Sequence, residues 1–135
     1  MKNRFYLMIL PLISLILEIL PYGAVLNFAI PNADGSIGHK RELYSYFDFM
    51  PFGYANFAPL ATAILTCSAI ALLIVYQITG KASAAKISMH TLLITALVSL
   101  GPLLYGTDYF TLVGLLITIS LAAEALILYV KLKKE

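Results

Sequence analysis

Three ionisable side chains interrupt the long apolar runs of this sequence, namely Glu18, His90 and Glu124. An ionisable group inside a lipid bilayer costs about 2.5–3.5 kcal/mol on insertion scales, so it is a functional candidate by default. Glu18 follows Arg4 by fourteen residues, or about 21 Å of helix. This spacing predicts a position in the middle or outer half of a membrane. Ser14, one helical turn before Glu18, is its predicted hydrogen-bond partner.

Glu18 and Glu124 each allow two interpretations. Glu18 either forms a structural hydrogen bond to another helix or titrates as a site for protons or cations. Glu124 and His90 are predicted near the same end of neighbouring helices, where they could share a hydrogen bond of the kind that relays protons. The simpler interpretation places His90 among lipid headgroups and bonds a protonated Glu124 to Ser120, one turn earlier.

The sequence contains no catalytic constellation. His39 and His90 are expected on opposite sides of the membrane, and neither has a nucleophile or metal ligand at a recognisable spacing. The single cysteine, Cys67, lies in an apolar run and supports neither a disulfide framework nor a redox pair. We therefore predict that the chain is not an enzyme and that it binds no metal and no cofactor.

The elements that must position these groups are apolar helices. Hydrophobic residues make up 61% of the 135 residues and charged residues 12%, with a mean hydropathy of +0.89, whereas soluble domains carry about 25% charged residues. Lipid offers the backbone no hydrogen-bond partners, so long apolar runs fold as helices. We predict an all-α integral membrane protein, a single domain of residues 1–135 with spans 5–27, 56–79, 86–105 and 109–131.

Short connections predict how these helices are arranged. Residues 80–83 and 106–108 are the only links between the second, third and fourth spans, so these helices should be antiparallel neighbours in an up-down four-transmembrane-helix bundle. Asp108 or Thr107 is expected to cap the fourth helix. Pro21 is expected to kink the first.

The distribution of basic residues predicts the orientation, because cytoplasmic flanks retain Lys and Arg. Lys40 and Arg41 fall on one side, and the remaining basic residues fall on the other: Lys2, Arg4, Lys81, Lys86, Lys131, Lys133 and Lys134. We predict a multi-pass plasma membrane protein, in a bacterial inner or cell membrane, with both termini cytoplasmic. We expect the first run to be retained rather than cleaved as a signal peptide. Basic residues spread in this way do not favour nucleic-acid binding.

The predicted extracellular loop, residues 28–55, is rich in aromatic residues. Residues 24–30 and 43–49 flank the turn-forming sequence of 32–36, a pattern compatible with a short β-hairpin. The aromatic side chains either close the bundle as a lid or form a docking surface for a partner or a lipid. The candidate interaction residues are Tyr44, Tyr46, Phe47, Phe49, Phe52 and Tyr54.

Small and hydroxylated residues recur at helical spacing on the last three helices. Such stripes let membrane helices pack closely, with a polar channel along the third helix as the alternative. The stripes comprise Ala58, Thr62, Thr66 and Ala69, then Ser88, Thr91, Thr95 and Ser99, and finally Thr111, Gly114, Thr118 and Ala125.

In helix count and in a carboxylate on the first helix, here Glu18, the chain resembles the small multidrug transporters. That resemblance implies substrate binding by Glu18, although this chain lacks tryptophan and has a long aromatic loop and a strong charge bias. We identify no family. The leading hypothesis is a small noncatalytic membrane protein of accessory, structural or interaction type, in contact with membrane lipids and with a second copy or another membrane protein. The alternative is a proton- or cation-coupled small-molecule transporter that titrates Glu18.

Overall fold

The structure, a computed structural model, describes residues 4–49 and 56–134. It is mostly helical, with one two-stranded sheet. A 3₁₀ turn, Phe5–Met8, leads into the first helix, and further 3₁₀ turns at Gly101–Tyr105 and Thr107–Tyr109 join the last two helices. The main elements are α1 (Ile9–Ile19), β1 (Ala24–Pro31), β2 (Ile37–Tyr44), α2 (Ala58–Thr79), α3 (Ala82–Ser99) and α4 (Leu112–Lys134).

Helix α1 is shorter than the predicted span 5–27, because it ends at Ile19. Leu20 leaves the helical region with φ −63° and ψ 139°. The ring of Pro21 clashes with a helical conformation at the residue before it, which forces Leu20 into an extended conformation. Pro21 therefore ends the helix rather than kinking it, and the chain continues into a strand.

The predicted hairpin is confirmed, but its second strand lies earlier in the sequence than expected. Strands β1 and β2 pair antiparallel from Ala24 opposite Tyr44 to Pro31 opposite Ile37. The prediction of the second strand at 43–49 is wrong, because the tight turn at 32–36 pairs the residues that follow it directly.

The hairpin turn is built from polar side chains. Gly35 has φ +82°, and the N–H of Asn32 donates to the Ser36 carbonyl at 2.8 Å. The Asp34 carboxylate accepts hydrogen bonds from the Ser36 hydroxyl and N–H at 2.6 and 3.0 Å. These bonds hold the pKa of Asp34 below its usual value.

Three helical segments, Ala58–Thr79, Ala82–Tyr105 and Leu112–Lys134, are long and apolar enough to cross a membrane. The α2–α3 link is very short because Gly80 adopts φ +68°, the left-handed conformation that ends helices. Helix α4 starts later than predicted. The Gly114 N–H donates to Thr111 Oγ1 at 2.9 Å, so Thr111 caps the helix in place of Asp108 or Thr107, which lie in a 3₁₀ turn.

The small-residue stripes lie at the helix contacts. Ser88 Oγ donates to the Ala69 carbonyl at 3.0 Å, which joins α3 to α2, and Ser99 Oγ lies 2.6 Å from Thr118 Oγ1 on α4. Gly101 packs so closely that an added Cβ would lie 2.5 Å from the Ala58 Cβ. Helices with small contact residues approach closely enough to exchange hydrogen bonds.

Helix α1 is fixed to the bundle at both of its ends. At what we call the terminal end, the Arg4 guanidinium lies 4.5 Å from the Tyr76 ring centroid, and Gln77 Nε2 donates to the Arg4 carbonyl at 2.6 Å. At the opposite end, the hairpin end, Thr111 Oγ1 donates to the Gly23 carbonyl at 2.9 Å. Helix α1 therefore packs against α2 and runs antiparallel to α4.

Candidate functional site

The Glu18 side chain is fully buried near the end of α1. Its Oε1 accepts a hydrogen bond from Thr66 Oγ1 on α2 at 2.7 Å. Its Oε2 has no hydrogen-bond partner in the described part of the chain. The carboxyl group thus links α1 to α2 through one of its two oxygens.

The backbone of Glu18 is also engaged, by the segment that follows the hairpin. Its carbonyl, which α1 leaves free where the helix ends, accepts the Tyr46 N–H and the Ser45 hydroxyl, each at 2.9 Å. Ser45 is positioned by a tight turn, since its own N–H donates to Asp48 Oδ2 at 2.8 Å. This turn covers the end of α1.

Tyr46 is a core residue rather than part of an exposed aromatic surface. Its side chain is 1% exposed. A Cβ added to Gly23 would lie 2.8 Å from Tyr46 Cε1, and one added to Gly114 would lie 3.1 Å from Tyr46 Oη. The two glycines therefore make room for the ring between the start of the hairpin and α4. For Tyr46, this burial favours the lid over the docking surface, the two alternatives that the sequence leaves open for the aromatic residues.

Ser14 does not bond to Glu18. It lies one turn earlier on the same buried face of α1, and its side chain is fully buried. Its hydroxyl has no hydrogen-bond partner among residues 4–49 and 56–134. The carboxyl group of Glu18 reaches across to α2 instead.

Both hydrogen bonds predicted for Glu124 are wrong. Glu124 is fully buried, yet neither of its carboxyl oxygens has a hydrogen-bond partner within the described residues. His90 is exposed and its Nδ1 donates to the Lys86 carbonyl at 2.7 Å, while Ser120 Oγ donates to the Leu116 carbonyl at 2.7 Å. The rotation of α3 about its axis explains why the predicted bond between His90 and Glu124 does not form. The buried face of α3 carries Ser88 and Leu92, so His90 lies on the exposed side of the helix.

The remaining candidate aromatic residues differ in exposure. Tyr44 is half-buried and its hydroxyl donates to Glu42 Oε2 at 2.7 Å. Phe47 is 37% exposed and Phe49 is 87% exposed. Phe52 and Tyr54 lie outside the described residues.

Two contacts at Glu18 were missed by sequence reasoning. The sequence indicates Thr66 only as a packing residue. Its position on the small-residue face of the second helix could have indicated a contact with another helix. Ser45 gave no signal, because it is brought to Glu18 by the hairpin. Within the described ranges, no cluster of three or more His, Cys, Asp or Glu side chains could hold a metal ion.

Three apolar helices of spanning length suggest a membrane-embedded protein. Comparisons add no relative to this description: the chain matches no protein-family model, no curated protein and no solved structure.

Proposed function

We propose that this chain is a small noncatalytic integral membrane protein, a four-helix transmembrane bundle of structural, accessory or interaction type. Helix α1 supports the inclusion of a fourth membrane helix, because it exposes a row of large apolar side chains, as the longer helices do. A contiguous apolar surface of this kind is rare on proteins in water. The exposed residues of α1 are Ile9, Leu12, Ile13, Ile16 and Ile19.

In the proposed orientation, the terminal end faces the cytoplasm of a bacterial cell and the hairpin end faces outward. The positive-inside rule supports this, because the basic last turn of α4, with Lys131, Lys133 and Lys134, lies at the terminal end. Arg4 lies at the same end, against Tyr76. The hairpin carries the two basic residues of the opposite side, Lys40 and Arg41.

The burial of Glu18 is the observation that carries the proposal. A titrating transport site must meet water from each side in turn, whereas this carboxyl group has no exposed surface and accepts a hydrogen bond from Thr66. The turn that contains Tyr46 covers it from the hairpin end. These contacts favour a structural role in joining α1 to α2.

In the proposed function, the protein contacts its partner through the hairpin end. Phe49 is an exposed ring at this end, directly after the turn that covers α1. Exposed aromatic residues at a membrane interface suit contact with a second copy or with another membrane protein.

Photocrosslinking in native membranes tests this interaction. A benzophenone amino acid in place of Phe49 should give a discrete protein adduct, while the same probe in place of Leu104 should label only lipid. Leu104 is a matched control because it lies at the same end and is 89% exposed. The interaction proposal fails if the Phe49 probe yields no protein adduct and the protein is strictly monomeric in mild detergent.

A proton- or cation-coupled transporter is the second candidate, favoured by Glu18 Oε2 and both Glu124 carboxyl oxygens, which have no hydrogen-bond partner among the described residues. Buried carboxyl groups without full hydrogen bonding are functional candidates in membranes. Reconstituted vesicles with a pH gradient distinguish the candidates. Flux in the parent that is lost in Glu18→Gln supports transport, since the amide oxygen still accepts the Thr66 hydroxyl. No flux in the parent removes this candidate.

A further inference from the structure

A cavity of about 430 Å³, lined by residues with polar side-chain groups, opens at the hairpin end, between the hairpin and the link that joins α3 to α4. It is distinct from the Glu18 site. Its lining residues are Asn27, His39, Arg41, Asp108 and Tyr109.

One wall of the cavity is a single face of the hairpin. Asn27 on β1 pairs with Arg41 on β2. His39 lies two residues before Arg41, and side chains two residues apart project from the same face of a strand. Three nitrogen-bearing side chains therefore converge on this wall, where they can donate hydrogen bonds to an anionic group.

The opposite wall belongs to the 3₁₀ turn Thr107–Tyr109. Asp108 supplies a carboxylate. Tyr109 supplies a ring that packs against Tyr105, with 6.1 Å between ring centroids and an interplanar angle of 53°. The cavity thus has nitrogen donors on one side and a carboxylate acceptor on the other.

The opposite charges across the cavity are not paired with each other. Neither Arg41 nor Asp108 forms a salt bridge with any residue in 4–49 or 56–134, whereas the neighbouring Lys40 binds Glu42 at 2.6 Å. A ligand complementary to both walls must carry an anionic group and a cationic hydrogen-bond donor a short distance apart.

We propose that this cavity binds a phosphoethanolamine group, with the phosphate held by Arg41, His39 and Asn27 and the primary ammonium held by Asp108. Arginine matches phosphate oxygens with paired N–H donors, and the ammonium supplies N–H donors to the carboxylate. The cavity falls within the range of about 300–1,000 Å³ that is typical of ligand pockets.

The source of the group is the headgroup of a membrane lipid. The cavity lies at the ends of α3 and α4, which in the proposed function is the level of the outer headgroups. This assignment of the source rests on the proposed membrane embedding, while the complementarity of the cavity does not.

Binding of short-chain lipids to the delipidated protein in detergent, followed by native mass spectrometry, tests the proposal. Phosphatidylethanolamine should bind about tenfold more tightly than phosphatidylglycerol, which lacks the ammonium, and than phosphatidylcholine, whose ammonium has no N–H. Arg41→Gln and Asp108→Asn should each weaken phosphatidylethanolamine binding by about tenfold. Lys40→Gln is the matched control, because Lys40 projects from the opposite hairpin face, and it should leave binding unchanged.

Equal binding of the three lipids, or unaltered binding by both cavity variants, would overturn the proposal. Both variants replace exposed side chains, and circular dichroism with gel filtration checks that they fold. Free phosphoethanolamine binding as tightly as the lipid would overturn the lipid source. A protein that stays dispersed without detergent would instead contradict the proposed function, so the two failures are distinguishable.

Discussion

Glu18 and Glu124 are both fully buried carboxyl groups in the helical bundle, but their surroundings differ. Glu18 accepts a hydrogen bond from Thr66, and the Ser45 and Tyr46 segment covers it. Glu124 has no hydrogen-bond partner on either oxygen in the described parts of the chain.

The comparison shows that a polar group can be fully buried with or without a hydrogen-bond partner, and that the two cases differ in their effect on stability. A bonded carboxyl group specifies which helices pack together, because removing one partner leaves the other unsatisfied. A carboxyl group without hydrogen-bond partners loses its hydration on burial, and no hydrogen bond to the protein offsets that cost. Stability should therefore respond in opposite directions when the two sites are changed.

The largest effect is expected from opening the cover over Glu18. Tyr46→Ala removes a buried ring that fills the space between Gly23 and Gly114, and should lower the free energy of unfolding by about 3–5 kcal/mol. Denaturant unfolding in detergent micelles measures this. Phe47→Ala removes a partly exposed ring next to it and should cost less than about 0.5 kcal/mol. Equal costs for both variants would show that Tyr46 does not seal the bundle.

The two carboxyl sites themselves should give effects of opposite sign. Thr66→Val leaves Glu18 without its donor and should destabilise the protein by about 1–3 kcal/mol, whereas Glu124→Leu should be neutral or stabilising. Thr95→Val is a matched control, because this buried hydroxyl donates to the Thr91 carbonyl of its own helix rather than to a carboxyl group. The same unfolding experiment measures all three. Destabilisation by Glu124→Leu that matches Thr66→Val would erase the contrast between the sites.

A smaller effect should come from adding volume next to the Tyr46 ring rather than removing the ring. Gly23→Ala places a Cβ against the Tyr46 ring and should cost about 1–2 kcal/mol, since overpacking shifts side chains or backbone. In a Tyr46→Leu background the same substitution should cost much less, because the aromatic ring is gone. A double-mutant cycle measures this coupling, and strictly additive costs would contradict the close packing of Gly23 against the Tyr46 ring.

The smallest effect belongs to carboxylates outside the bundle. Hydrogen bonds from Ser36 lower the pKa of Asp34, and the contacts with Lys40 and Tyr44 lower the pKa of Glu42. A carboxylate whose pKa is lowered by folding stabilises the hairpin above its unfolded pKa of about 4, and this contribution is lost as pH falls through the folded value. The protection factors of the hairpin amides, which are exchange rates corrected for the intrinsic pH dependence of exchange, should therefore fall below about pH 4, while those of the helices stay unchanged. Asp34→Asn with Glu42→Gln should abolish this pH dependence of the hairpin protection factors.

Local sequence signals predicted the long helices and the hairpin turn, and they singled out the two carboxyl groups, Glu18 and Glu124, that the structure buries. Long apolar runs with few ionisable residues were sufficient for α2, α3 and α4, and the polar residues of 32–36 were sufficient for the turn. The predicted kink at Pro21 does not give the end of α1, because a proline can either kink or end a helix, and here its effect on Leu20 ends it. The second strand was placed too late because the start of pairing depends on how tightly the turn closes.

The partners of the buried groups were beyond sequence reasoning for a different reason. Thr66 and Glu18 meet because α1 and α2 pack in one rotational phase, and spacing along either helix does not determine the phase between helices. The same is true of His90, which is exposed whereas Glu124 is buried, although both lie on neighbouring helices. The sequence leaves the lid and the docking surface open for Tyr46, because the glycines that receive its ring, Gly23 and Gly114, lie far away in sequence.

Water accessibility at position 18 tests the central claim most directly. In a Cys67→Ala background, Glu18→Cys and Phe49→Cys are each exposed to a membrane-impermeant maleimide in cells and in inverted vesicles. The sealed site predicts no labelling of Glu18→Cys from either side and rapid labelling of Phe49→Cys from outside intact cells. Labelling of Glu18→Cys at a rate comparable to that of Phe49→Cys would reveal an aqueous path to the carboxyl site and contradict the structural role.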